Sequence, residues 1–116
     1  MITFENAEIR VKFWFNVARE NEIIEACYEI RDKETGKRNK IVGIAKRHPK
    51  DSPNEVIGKA VALCKANLML KNNVSDDEFM SINIMILSHY KRVSKVLAQV
   101  VEDSKNIELE YVTFVI

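Results

Sequence analysis

Residues 9–17 read Ile-Arg-Val-Lys-Phe-Trp-Phe-Asn-Val, and the reading of this stretch decides the fold. Apolar side chains at Ile9, Val11, Phe13, Phe15 and Val17 alternate with Arg10, Lys12, Trp14 and Asn16. A period of two sends successive side chains to opposite faces of an extended chain, so this is a strand with one face in a core. After the polar connection Ala18 to Glu22 the pattern returns. Ile24, Ala26, Tyr28 and Ile30 share one face, and Glu25, Cys27, Glu29 and Arg31 the other. Asp32 to Arg38, with Gly36, reads as a hairpin loop. A third strand runs from Asn39 to Lys46 through Ile41-Val42-Gly43-Ile44-Ala45. Three strands with short links make an antiparallel meander.

Downstream the period changes. Ser52-Pro53-Asn54-Glu55 has the form of a capping box with proline at the first helical position, which predicts a helix from Pro53 to about Leu70. Ile57, Val61, Cys64 and Leu68 supply its apolar stripe, and Gly58, Ala62 and Ala66 make a small face that invites close packing. Ser75-Asp76-Asp77-Glu78 is a second capping box. Beyond it Phe79, Ile82, Ile86, Tyr90, Val93, Leu97 and Val100 fall three or four apart. One helix from Asp76 to about Glu102 would be about 40 Å long. A break near Ser88-His89, or a strand over Ile82 to Leu87, is the alternative. Ile107 to Ile116 alternates again with both faces apolar, as in a strand covered on both sides. The expectation is a single α+β domain over 1–116, a four-stranded, mainly antiparallel sheet packed by one or two helices in the order βββααβ. Residues 8–70 form a βββα unit, and 75–116 add a helix and the C-terminal strand.

Composition narrows the function. The chain has 116 residues, 47% apolar and 30% charged, the profile of a globular domain with one real core. Its 18 basic and 17 acidic side chains give a net charge of +1 and no long-range pull toward polyanions, so any such contact needs a local patch. Lysine outnumbers arginine twofold. Cys27 and Cys64 lie far apart with no CxxC partner and read as buried thiols of a reducing, cytoplasmic compartment. Met1 to Ala7 is acidic and does not have the form of a signal peptide, and no apolar run is long enough to span a bilayer.

No catalytic constellation stands out. Ser88 and His89 are neighbours in sequence, but helical neighbours diverge by about 100°, so they form no dyad. His48 and His89 lack partners at metal-ligand spacing. Gly36, Gly43 and Gly58 form no phosphate loop. No enzyme, cofactor or metal is expected. Two surfaces are candidates for binding. Trp14 shares a face with Arg10 and Lys12, where an aromatic between cations suits a partner contact; alternatively the second helix or the C-terminal strand covers it. Lys46, Arg47, His48 and Lys50 cluster at the end of the third strand as candidate phosphate contacts, or as a solvated surface balanced by nearby carboxylates. Lys37, Arg38 and Lys40 flank the hairpin, and Lys91, Arg92 and Lys95 lie on the second helix.

Val42-Gly43-Ile44-Ala45, then Pro49 and Asp51, then Gly58, Ala62 and Ala66, resemble the glycine–alanine strand and small-residue helix of the double-stranded-RNA-binding domain and its bacterial and phage look-alikes, over residues 8–70. In the RNA-binding families a lysine cluster opens the final helix, whereas here that helix begins Asp51-Ser52-Pro53-Asn54-Glu55. The resemblance implies the βββα fold and a phage or mobile-element setting. With catalysis set aside, the expectation is a non-enzymatic cytoplasmic binding protein of anti-defence type, such as an anti-CRISPR or a signal-sequestering inhibitor. It would inhibit or sequester a host protein, nucleoprotein complex or nucleotide signal. The alternative is a dsRBD-like domain contacting nucleic-acid phosphates non-specifically. No membrane partner is expected. The apolar C-terminal segment Tyr111 to Ile116 points to a homo-oligomer.

Overall fold

In the computed structural model, which describes residues 1–18, 23–46, 54–103 and 111–115, the meander is longer than expected. The strands are β1 (Ile2–Glu5), β2 (Ile9–Ala18), β3 (Ile23–Asp32), β4 (Arg38–Lys46) and β5 (Tyr111–Val115). The helices are α1 (Glu55–Leu70), α2 (Asp76–His89) and α3 (Lys91–Asp103). The sheet is five-stranded and antiparallel, in the order β1-β2-β3-β4-β5. The α+β class and the antiparallel meander therefore stand, while the order is ββββαααβ instead of βββααβ.

The extra strand β1 alternates as Ile2 and Phe4 against Thr3 and Glu5, and it pairs Ile2 with Phe13 and Phe4 with Val11. The Asn6 side chain closes the turn into β2 by accepting from the Glu8 and Ile9 amides, both at 2.8 Å. Its own amide donates to Glu78 Oε2 at 2.7 Å, tying the turn to α2. At the β3–β4 hairpin the Asp32 carboxylate accepts from the Glu34 and Thr35 amides at 2.9 and 3.0 Å. Gly36 there has φ +74°, a left-handed conformation that suits a residue without Cβ.

Helix α1 lies against β3 and β4 through its small face. A Cβ on Gly43 would overlap the Ala62 carbonyl oxygen and sit 2.5 Å from the Ala66 nitrogen, so strand and helix backbones meet there. This close approach reverses part of the expected stripe. Ala62, Leu63, Ala66 and Leu70 are buried, while Ile57 and Leu68 are exposed. The start of the helix also differs. Asn54 is extended, and its side chain accepts from the Ile57 amide at 3.0 Å, so Asn54 is the cap and Glu55 the first helical residue. Ser52 and Pro53 lie outside the described residues.

The second capping box forms as read, with Ser75 Oγ accepting from the Glu78 amide and Glu78 accepting from the Ser75 amide. The single long helix does not. Tyr90, at φ −105° and ψ 72°, separates α2 from α3. Its apolar stripe nevertheless runs through the break, with Ile82, Ile86, Val93 and Val100 all buried. The break carries the Tyr90 ring onto the sheet, 5.0 Å from Phe15 and 6.2 Å from Phe13 between centroids. Phe13 in turn packs on Tyr28 at 4.8 Å.

One polar chain crosses the layers, from buried Tyr28 to half-buried Asn67 and Asn83. Tyr28 on β3 donates to Asn67 Oδ1 at 2.6 Å. The Asn67 amide donates to Asn83 Oδ1 at 2.8 Å, and the Asn83 amide to the Phe79 carbonyl at 3.0 Å. Sheet, α1 and α2 are thus joined by hydrogen bonds that run from the core to its edge. Buried Lys65 is satisfied as well, its Nζ donating to the Ile44 carbonyl at 2.8 Å. No helix among the described residues is long and apolar enough to cross a membrane.

Candidate binding face

Strand pairing sets which side chains stand together on the face of the sheet away from the core. Arg10 pairs with Arg31, and Arg31 with Arg38. The three arginines therefore form one cross-strand row, all exposed, with Glu5 of β1 opposite Arg10 at its end. The next row is Lys12, Glu29 and Lys40, and the one after it Trp14, Cys27 and Val42. A shallow cleft is lined by Arg10, Lys12, Glu29, Arg31 and Arg38.

Among the described residues no helix packs on this face, and β5 widens the sheet at its edge beside β4. The second helix packs on the other face, with Phe13 and Tyr28, while residues 104–110 and the side chains of the C-terminal strand lie outside the described residues. Trp14 is half-buried. Lys40 Nζ lies 5.5 Å from its ring centroid. Lys40 is two strands away, so its ammonium and the indole meet above β3. Cys27 is 1% exposed, and burial, helped by Glu25 and opposed by Lys40, pushes its thiol up to about 11. A thiol so held is protonated near neutrality.

The arginine row carries a cost of its own. Like charges directly opposite each other on neighbouring strands repel. None of the three makes an ion pair with another described residue, whereas Lys33 and Glu5 pair at 3.0 Å and Lys59 and Glu55 at 2.9 Å. Arg10 does help to hold the Glu5 carboxyl below its ordinary range, after the larger effect of Lys33.

Arg10, Lys12 and Trp14 thus share one face, as the alternation implied, and Arg31, Arg38 and Lys40 join them. The second expected cluster is not comparable. Lys46 ends β4, exposed, and Arg47, His48 and Lys50 lie outside the described residues. A larger hollow of about 350 Å³ sits at the α2–α3 break, lined by Glu55, Lys59, His89, Tyr90, Lys91 and Arg92. Lys59 is engaged there with Glu55 and with the faces of Phe15 and Tyr90. Among the described residues no three side chains are arranged to hold a metal ion. Comparison of the chain with protein-family models, curated proteins and solved structures returns no match.

Proposed function

We propose that this chain is a non-enzymatic binding protein that captures one anionic partner on the open face of its sheet and thereby sequesters or inhibits it. The observation that carries the reading is the row Arg10, Arg31 and Arg38 beside Trp14. Three adjacent guanidinium groups repel one another, with Arg10 partly offset by Glu5, and a partner that brings anions to them removes that repulsion. The flat aromatic ring alongside adds apolar contact area with little ordering cost. The partner class is a host protein, nucleoprotein complex or nucleotide signal that presents anionic groups. The phage or mobile-element setting rests on the resemblance over residues 8–70. Self-association is expected from the apolar segment Tyr111 to Ile116, whose side chains lie outside the described residues; Met80 and Ile84, one turn apart on α2, add an apolar pair 62% and 63% exposed.

The test is capture from a host lysate on immobilised protein, with and without nuclease. The wild type should saturate at a fixed ratio to one component. Trp14→Ala and Arg31→Glu, each verified as folded by circular dichroism, should both weaken capture. Undiminished capture by both variants would remove the open face from the function.

A further inference from the structure

We infer that the open face is a single-stranded nucleic-acid surface, on which the arginine row takes backbone phosphates and Trp14 takes a base. The inference rests on the docking role proposed for this face and names the partner's chemistry.

The first argument is residue choice. The chain has 12 lysines and 6 arginines, yet three of those six arginines occupy one cross-strand row. Lysine would supply the same charge at such exposed positions. Arginine adds a planar fork that binds phosphate oxygens in pairs. Opposed residues on neighbouring strands are about 5 Å apart, so the row spreads its three forks over roughly 10 Å. The second argument is direction. Trp14 lies four residues along β2 from Arg10, roughly 13 Å, the reach of a few nucleotides. Lys12 and Lys40 flank the path between them, with Glu29 offsetting one of the two. Cations along a track with an aromatic platform on it are what a single strand needs, because it offers phosphates and unpaired bases together.

The width of the sheet disfavours a duplex. Five strands spaced about 4.8 Å apart make a surface near 20 Å across, too broad for a major groove about 12 Å wide. A duplex would meet only the cations, and its stacked bases could not reach Trp14. An acidic protein surface would likewise satisfy the arginines and leave the indole without a stacking partner.

Fluorescence anisotropy with labelled 15-nucleotide thymidine and uridine strands, a 15-base-pair duplex and poly-glutamate tests this. The variants are Arg10→Gln/Arg31→Gln/Arg38→Gln combined, Trp14→Ala alone, and Lys91→Gln/Arg92→Gln/Lys95→Gln on α3 as a charge-matched control. The single strands should bind most tightly, with affinity falling steeply in salt. The arginine triple should lower the slope of log affinity against log salt by about 2, at roughly 0.7 for each phosphate no longer neutralised. Trp14→Ala should cost about tenfold in affinity. The α3 control should stay within threefold of wild type. Equal losses in the α3 control and the arginine triple would overturn the inference. So would duplex or poly-glutamate binding as tightly as the single strands. If wild type binds no oligonucleotide but the arginine triple still loses its lysate partner, the nucleic-acid inference fails and the docking role stands. If the triple keeps that partner, both fail.

Discussion

The two faces of the sheet are built from the same strands and obey opposite rules. Toward the helices stand Val11, Phe13, Ile24, Ala26, Tyr28 and Ile41, all at most 1% exposed. Polar groups that enter this layer are partnered, as in the chain from Tyr28 through Asn67 to Asn83. Away from the helices stand arginines that repel one another and a half-buried tryptophan beside Lys40. The first face is optimised for folding. The second gives up a little stability, which is the usual mark of a surface kept for a partner. The comparison can be broken at either face.

The largest effect belongs to Gly43, where strand and helix backbones meet. Gly43→Ala forces a methyl into the α1 backbone, and neither partner is a flexible side-chain end. A loss of about 3 kcal/mol is expected, a fall in Tm of roughly 12 °C. Calorimetry showing a change under about 2 °C would mean that α1 does not sit this close. Next is Tyr28→Phe, which leaves the half-buried Asn67 Oδ1 without its Tyr28 donor at the cost of about 1 kcal/mol by urea unfolding. An unchanged midpoint would show the network to be wet or unformed.

Acid should act through the turns. At Asp32 the Thr35 and Glu34 amides hold the carboxyl below its ordinary 3.8. At Glu78 burial works upward but is outweighed by hydrogen bonds from Ser75 and Asn6, so the carboxyl lies below 4.5. Both are depressed in the folded state. Their stabilisation is complete above the unfolded values and fades as pH falls through the folded ones. Urea midpoints should therefore be flat from about pH 7 to about 5 and decline below about 4.5. Glu78→Gln should flatten part of that decline, and an unchanged slope would contradict the role given to this carboxylate.

The alternation of residues 9–17, 24–30 and 39–46 made three strands legible, because a half-buried strand must repeat every two residues. Ile2 and Phe4 carried the same signal over too short a stretch to stand out. The break at Tyr90 was hidden because the apolar stripe continues through it, and a stripe reports which side is buried without reporting backbone continuity. Asn54 is the observed cap of α1, a role the sequence pattern assigned to Ser52 because either residue type can accept from an amide two or three positions on. At the candidate site, Arg10, Lys12 and Trp14 were visible as one face of one strand. The arginine row was not, since Arg10, Arg31 and Arg38 are distant in sequence and become neighbours only through strand register, which the connecting turns set.

The smallest stability effect, of opposite sign, tests the central claim most directly. The Arg10→Gln/Arg31→Gln/Arg38→Gln variant should be followed by urea unfolding and by partner capture on the same preparation. If the row exists for a partner, relieving the repulsion should leave the unfolding midpoint unchanged or raise stability by a few tenths of a kcal/mol, while capture is lost. A lowered midpoint with capture intact would contradict the account and assign the three arginines to the fold.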